Sequence, residues 1–175
     1  SSLAMYHYIR SLGKDAQVIV PNAFPDFLAW LPGADIVWFY DSQSTLADSY
    51  LEKADLVICA DFNAPSRIGA LGDKMLTLAC PKLMIDHHLH PSDFADFIVS
   101  EPEASSTCEL VYEVLSTLGA KLSNQIATCL YTGLMTDTGN FSYNSSRPQI
   151  YNIISQLVAA GANKDEIYNA VFNQY

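Results

Sequence analysis

The chain has 175 residues, half of them apolar, which is enough to bury the core of one domain. Nine basic against nineteen acidic residues give a net charge of −10, which argues against non-specific binding of long nucleic acid, because such binding relies on a basic surface. No apolar run approaches the roughly 18 residues that a membrane span requires, and no signal-peptide pattern opens the sequence.

Four cysteines, at positions 59, 80, 108 and 129, stand among apolar neighbours and show no zinc-like spacing. Buried free thiols in a reducing cytoplasm are therefore expected. The sequence opens on Ser1-Ser2-Leu3, which reads as the first turn of a helix rather than the start of a domain, so further sequence is expected upstream.

The first half of the chain alternates helical patterns with short apolar runs. Apolar side chains at helical spacing predict a helix over 2–12, which ends at Gly13. Runs rich in β-branched and aromatic residues predict five strands, at 17–20, 35–40, 55–61, 78–85 and 97–99. Helical segments are predicted at 25–31, 44–53 and, for a single turn, 67–71.

The second half reads as helices only, at 106–118, 123–136 and 147–160, with a last helix capped at Asn163. Ser106 and Glu109 have the spacing of a capping box. Strands that alternate with helices and then give way to helices indicate an α/β fold. We expect a doubly wound, mainly parallel five-stranded sheet with helices on both faces.

Polar residues follow two of the apolar strands. Asp61 ends one of them, and Asp86-His87-His88 ends the other. Ligands bind at the carboxyl ends of strands in open α/β sheets, so we expect these side chains to meet at one edge.

Asp61 has two interpretations. Turn acids are common after strands, whereas a carboxylate behind an apolar run with no lysine nearby favours a bound cation. Adjacent histidines point in different directions, so one of His87 and His88 is expected to bind a metal and the other to contact an oxyanion or move a proton. Asp86 would orient an imidazole, and His90 reads as a surface residue.

Asp137 follows an apolar helix, at the end where the helix dipole disfavours an acid. Either the turn at Gly139 or a metal ion explains it. Together with Asp61 and His87 it makes an oxygen and nitrogen ligand set suited to Mn²⁺ or Mg²⁺.

Ser105-Ser106-Thr107 opens a predicted helix. Capping explains these residues, although helix N-termini also bind phosphate. Arg147 lies beyond the Asp137 turn, either as a surface charge or as a contact to a substrate phosphate.

Three of these features resemble the second, third and fourth motifs of the DHH phosphoesterase family, in order and in spacing. They are Asp61 after its strand, the triplet Asp86-His87-His88, and Thr136-Asp137-Thr138-Gly139-Asn140-Phe141. The helix start Ala104-Ser105-Ser106-Thr107 looks like the branch of oligoribonucleases and 3′-phosphoadenosine-5′-phosphate phosphatases (nanoRNase type).

The resemblance implies a two-metal site, usually with Mn²⁺, that hydrolyses phosphoesters. Carried over by position, Asp61 would bridge the metals, His87 and Asp137 would bind one of them, His88 would contact the scissile phosphate, and Asp86 would support the histidines. Ser105, Ser106, Asn140 and Arg147 are weaker candidates, as contacts to the substrate.

The family's first motif, a histidine with an Asp-x-Asp pair, does not appear before Ser1, and its C-terminal DHHA1 substrate-binding domain does not appear after Tyr175. The resemblance therefore implies that 1–175 is a DHH catalytic domain without its first strand and without the second domain. Alone, such a chain is expected to hold two metals poorly.

The expected function is a metal-dependent phosphoesterase for short oligoribonucleotides or 3′,5′-bisphosphonucleotides in the cytoplasm, with no long nucleic acid and no membrane as partner; a homodimer is compatible with this. The alternatives within the family are an inorganic pyrophosphatase, a dinucleotide phosphodiesterase and a RecJ-like exonuclease. A non-catalytic nucleotide-binding or scaffold module is the alternative outside catalysis. A dehydrogenase and an α/β-hydrolase are disfavoured, because the GxGxxG and GxSxG motifs are absent.

Overall fold

The structure, a computed structural model, describes residues 1–173. Its strands are β1 (Ile19–Val20), β2 (Trp38–Phe39), β3 (Val57–Ala60), β4 (Lys82–Asp86) and β5 (Phe97–Ser100). Its α-helices are α1 (Ser2–Ser11), α2 (Tyr40–Leu51), α3 (Ala70–Leu76), α4 (Thr107–Thr117), α5 (Asn124–Asp137), α6 (Pro148–Ala159) and α7 (Lys164–Phe172). None of these helices is both long and apolar enough to cross a membrane.

The strands pair in parallel throughout the described chain, as the sequence predicts. β1 pairs with β2, and β4 lies between β3 and β5, so the five strands form two hydrogen-bonded groups. The register sets Ala60 beside Ile85 and Asp86 beside Ser100. The carboxyl ends of β3 and β4 therefore lie side by side, and the predicted α/β fold is confirmed.

Four of the five predicted strands are shorter in the structure than in the sequence pattern, and the strands predicted at 35–40 and 78–85 lose the most residues. The segment predicted as a strand at 35–40 contains a 3₁₀ turn, Ala34–Ile36, and only Trp38–Phe39 pairs as a strand before α2 begins. The strand predicted at 78–85 begins at Lys82. In each case an apolar run extends into a neighbouring turn or helix, where its side chains still reach the core.

Helix α3 was predicted only as a single turn at 67–71. Its apolar residues Leu71 and Met75 are one helical turn apart and both are buried, as expected of an amphipathic helix. Leu71 packs with Tyr40 and Leu51 of α2. The helical spacing is present in the sequence, but the apolar residues that follow it also fit the start of a strand.

Helix α5 lies at the centre of the main hydrophobic core. The apolar face predicted for it is confirmed, because Ile126, Leu130 and Leu134 are at most 1% exposed. Fully burying a leucine or isoleucine side chain stabilises a fold by about 1.5–3 kcal/mol. The same cluster includes residues of α4 and α6, so Asp137, the last residue of α5, sits on a rigid support.

The four cysteines are free, and three of them, Cys59, Cys108 and Cys129, are buried. Burial raises the pKa of Cys59 and of Cys129 to about 12. Burial also raises the pKa of Cys108. The prediction of buried free thiols is confirmed for these three, whereas Cys80 is half-buried.

Candidate metal centre

Asp61 comes directly after β3 and contacts the start of α4. Its backbone lies in the left-handed region, with φ of 72°, which aspartate tolerates better than most residues. Its N–H donates to the Ile85 carbonyl at 3.0 Å, and Thr107 Oγ1 donates to Asp61 Oδ1 at 2.7 Å. The residue remains exposed, so the carboxylate is both oriented and accessible to a ligand.

Asp86 is fully buried and holds His88 through two hydrogen bonds. The His88 N–H donates to Asp86 Oδ2 at 2.8 Å, and His88 Nδ1 lies 2.8 Å from Asp86 Oδ1. A carboxylate accepts, so Nδ1 carries a hydrogen in this contact. The ring is thereby fixed, and Nε2 is the atom left for a ligand or a proton.

His87 is oriented by a different partner, the Ala104 carbonyl, which lies 3.0 Å from His87 Nδ1. Because a carbonyl oxygen only accepts, Nδ1 is the donor and Nε2 presents its lone pair. This arrangement, in which one ring nitrogen donates to a backbone carbonyl, is the common second contact of metal-binding histidines.

Asp61, His87 and His88 form a compact group. Each of the three offers one ligand atom, and these atoms all lie within 4.8 Å of one another. The two imidazole rings meet edge to face, at 63°. The sequence predicts that only one histidine faces the metal, whereas the structure brings a ligand atom from each into the group.

Asp137 lies near this group without being one of the three. Burial raises its pKa, and the negative charge of Asp61 raises it further, whereas a hydrogen bond from Ser106 and the His87 ring oppose the rise. Within residues 1–173, no lysine or arginine forms an ion pair with Asp61 or Asp137. Two carboxylates that repel each other beside two imidazoles make a donor set that fits a divalent cation.

The start of α4 departs from the predicted capping box. Ser106 caps the helix as expected, because its hydroxyl accepts from the Cys108 N–H at 2.9 Å. Glu109, however, accepts from the Ser105 N–H at 2.7 Å, one residue before the cap. The Ser105 hydroxyl is the one buried side-chain polar atom in the described chain that has no hydrogen-bond partner.

The other two candidate substrate contacts lie after α5. Asn140 is exposed and adopts a left-handed backbone, with φ of 55°. Arg147 donates from Nη2 to Glu109 Oε1 at 2.7 Å and from Nη1 to the Glu103 carbonyl at 2.6 Å. Two of its donors are thus used within the protein.

Three residues, Thr107, Ala104 and Asn63, make contacts at the site that the sequence does not predict. Asn63 is 3% exposed, and its side chain donates to the Leu89 carbonyl at 2.7 Å. Asn63 therefore ties the turn after Asp61 to the loop after the histidines. A polar residue two positions after a strand-ending acid was a usable signal for Asn63, whereas the contacts of the other two depend on the tertiary fold.

Comparisons with known proteins agree with this arrangement. The family model described as "DHH family, N-terminal domain" matches residues 1–134. A curated relative from Thermus thermophilus, "Bifunctional oligoribonuclease and PAP phosphatase NrnA", is 26% identical over 167 residues, which cover 95% of this chain and 47% of the relative. The "Cyclic-di-AMP phosphodiesterase GdpP" of Geobacillus thermodenitrificans is 34% identical over 113 residues, 62% of this chain and 17% of that protein.

A solved structure, that of an exopolyphosphatase-related protein from Bacteroides fragilis, is similar with a TM-score of 0.98 and 47% sequence identity. The match covers 100% of this chain and 52% of that one. The chain thus spans about half the length of the solved relative, as it does of the Thermus protein. The resemblance to the oligoribonuclease and phosphatase branch is confirmed by the curated relatives, and the chain belongs to the DHH family, whose N-terminal domain it matches.

Proposed function

We propose that this chain carries the metal centre of a phosphoesterase that hydrolyses short oligoribonucleotides or 3′,5′-bisphosphonucleotides. The observation that carries the proposal is the group of Asp61, His87 and His88, with its ligand atoms within 4.8 Å of one another, beside the Asp137 carboxylate. The printed names of the NrnA relatives, which combine oligoribonuclease and PAP phosphatase, support this choice of substrate.

Asp61, His87 and Asp137 would hold Mn²⁺ or Mg²⁺, with two ions in the intact protein. A bound divalent cation in such a site lowers the pKa of a water molecule and stabilises charge on the phosphoryl group. The protein supplies the orientation. Thr107 fixes the Asp61 carboxylate at 2.7 Å, and the Ala104 carbonyl fixes the tautomer of His87.

His88 is the proposed contact to the scissile phosphate. Its Nδ1 is engaged by the buried Asp86, so Nε2 is the atom that can exchange a proton with a phosphoryl or leaving oxygen. Asp86 thereby sets both the direction of the ring and the nitrogen that reacts. Ser105, Ser106 and Asn140 stay candidate substrate contacts.

The location, assembly and domain organisation also stay predictions. We propose a cytoplasmic protein in which 1–175 is the DHH catalytic domain and a separate domain binds the substrate. A homodimer is compatible with this proposal.

A second candidate substrate class is polyphosphate or pyrophosphate. The structural neighbour at 47% identity is described as exopolyphosphatase-related, and the net charge of −10 is compatible with a short anion held through cations. Cyclic dinucleotides are a further candidate substrate class, because the GdpP relatives are described as cyclic-di-AMP phosphodiesterases.

The test is a substrate panel with Mn²⁺ and the intact protein: a 3′,5′-bisphosphonucleotide, di- to pentaribonucleotides, a linear and a cyclic dinucleotide, and pyrophosphate. We expect hydrolysis of the first two classes, and a loss of about 10²–10⁴-fold in kcat for His88→Ala. Asp137→Ala should abolish activity. His90→Ala is the matched control, because His90 is exposed and no part of the ligand group. Full activity in excess chelator, or in the Asp137→Ala protein, would overturn the metal proposal.

A further inference from the structure

Three groups within residues 104–107 each contact a different side chain of the candidate metal centre. Each of these side chains comes from a different element: the end of β3, the loop after β4 and the end of α5. The Ala104 carbonyl lies 3.0 Å from His87 Nδ1, and Thr107 Oγ1 donates to Asp61 Oδ1 at 2.7 Å. The Ser106 hydroxyl lies close enough to Asp137 to oppose the rise in its pKa. The placement of this one short segment therefore affects all three proposed ligands.

The same segment is held from behind by a buried carboxylate. Glu109 is fully buried, and its Oε2 accepts from the Ser105 N–H at 2.7 Å. Its Oε1 accepts from Arg147 Nη2 at 2.7 Å, while Arg147 Nη1 donates to the Glu103 carbonyl at 2.6 Å. One guanidinium thus holds both ends of the stretch 103–109.

Chemistry explains why this position requires arginine. A buried carboxylate is costly unless it is paired and hydrogen-bonded, and the planar fork of arginine offers two donors in fixed directions. Lysine, with a single nitrogen on a flexible stem, would not hold both acceptors with the same precision. Arg147 is also the residue that precedes α6, so the pair connects the loop that follows Asp137 to the start of α4.

We propose that Glu109 and Arg147 are positioning residues for the metal centre. The ion pair fixes residues 104–107, and these residues in turn hold His87, Asp61 and Asp137 in place. The inference rests on the proposed function, since it assigns the pair to that same site. It also gives Arg147 a role in place of contact with a substrate phosphate.

The experiment compares Glu109→Gln, Arg147→Met and the double variant with the wild type. Mn²⁺ affinity is measured by isothermal titration calorimetry on the full chain. Contacts that orient metal ligands are worth about 10–100-fold in metal affinity, so each single variant should bind Mn²⁺ that much more weakly. Both changes break the same ion pair. The Mn²⁺ affinity of the double variant should therefore be only slightly lower than that of the single variant that binds Mn²⁺ less tightly.

Glu113→Gln is the matched control. Glu113 lies one turn further along α4, is exposed, and its pKa responds to the charges of Glu109 and Arg147. Glu113→Gln therefore removes a negative charge near the same arginine and leaves the buried Glu109 carboxylate in place. Its Mn²⁺ affinity should equal that of the wild type.

Two further readouts separate positioning from a merely structural role and from substrate contact. Amide hydrogen exchange at Ser105 and Cys108 should become faster in Glu109→Gln without metal, because residues 104–107 loosen. Arg147→Lys, which keeps a positive charge, should recover part of the Mn²⁺ affinity; it also replaces Arg147→Met as the test variant if that protein fails to fold. In the variants kcat should fall together with metal affinity, whereas a rise in KM alone would mean that Arg147 contacts the substrate.

Wild-type Mn²⁺ affinity in folded Glu109→Gln and Arg147→Met overturns the inference and leaves the proposed function standing. If the wild type binds Mn²⁺ but hydrolyses nothing in the substrate panel, while the variants bind more weakly, the proposed substrates fail and the inference stands. If the wild type binds no Mn²⁺, the metal proposal fails, and unchanged amide exchange in the variants would then overturn the positioning role as well.

Discussion

Replacing Thr107 by valine removes one hydrogen bond at the candidate metal centre and little else. Thr107 is 1% exposed, and valine keeps its branched shape while losing the hydroxyl that donates to Asp61 Oδ1 at 2.7 Å. Asp61 is exposed, so water can satisfy its carboxylate in the metal-free protein. We therefore expect little change in the metal-free stability and a marked loss of metal affinity.

The size of the loss follows from the contact. Removing a group that orients a metal ligand costs about 10–100-fold in affinity, which corresponds to about 1.4–2.8 kcal/mol. A loss within that range in Mn²⁺ affinity is expected for Thr107→Val.

Thermal unfolding with and without Mn²⁺ measures this loss directly. At a metal concentration of about 100 times the wild-type Kd, binding stabilises the native state by about 2.7 kcal/mol. In a chain of this size that raises Tm by about 5–11 °C. A variant with hundredfold weaker binding would gain only about 0.4 kcal/mol under the same conditions, and its Tm would barely move.

Thr107→Ser is the control, because it keeps the hydroxyl and should retain most of the Mn²⁺ shift. Asp61→Asn should lose the shift altogether. If Thr107→Val shows the full wild-type shift while Asp61→Asn shows none, then the Thr107 contact does not orient the ligand and the reasoning is refuted.

Three other expectations follow from single contacts. Asp86→Asn removes the carboxylate that holds His88, so kcat should fall about 10–100-fold, with Mn²⁺ affinity near that of the wild type. Steady-state kinetics and calorimetry on one preparation measure kcat and Mn²⁺ affinity separately. An unchanged kcat would contradict the role of Asp86 in positioning His88. Ellman's reagent should modify Cys80 alone in the native protein, since the other three thiols are buried; a fast-reacting thiol in Cys80→Ser would contradict this. Burial, followed by a hydrogen bond to Asp15, raises the pKa of Tyr50 from 10 to about 12, so the folded state holds this proton more tightly than the unfolded chain does. The resulting stabilisation is complete below pH 10 and is lost as the pH rises through 12. The buried cysteines lose stabilisation over an overlapping pH range, so urea unfolding should show a smaller loss in Tyr50→Phe than in the wild type.

The sequence was most informative where a local pattern has one physical cause. Buried parallel strands have to be apolar on both faces, so a run that ends in an acid marks both the strand and its carboxyl end. That is why Asp61 and Asp86 could be assigned to adjacent strand ends. The Ile126, Leu130 and Leu134 face of α5 was equally clear, because its spacing has the period of a helix.

The errors arose where local patterns were ambiguous. The apolar residues of α3 continue into those before β4, and a short apolar run does not distinguish helix from strand. The capping box predicted at Ser106 is confirmed for the serine and wrong for the glutamate, for another reason. Glu109 binds the Ser105 N–H instead of the cap residue, because Arg147 holds it from the other side, and that arginine lies 38 residues along the chain.

The contacts of Thr107 and Ala104 could not be predicted at all, because each joins residues that only the tertiary fold brings together. Thr107 and Asp61 are 46 residues apart in sequence. In the sequence Ser106 and Thr107 are explained as the start of a helix, with phosphate binding as the alternative, and nothing local indicates a contact with Asp61 or Asp137. The fold adds that contact by placing the start of α4 against the ends of β3 and α5.

This placement also helps to explain how two acids are accommodated near each other without an ion pair to lysine or arginine in the described residues. The N-terminus of a helix carries partial positive charge from its unpaired N–H groups. The start of α4 adds the Thr107 hydroxyl, which donates to Asp61, and the Ser106 hydroxyl, which lies near Asp137. Such neutral donors reduce the repulsion between the carboxylates without removing their charge. A lysine at the same position would neutralise an acid and compete with a cation for it. Support from a helix start therefore orients the carboxylates and leaves them available to a cation, as a metal centre requires.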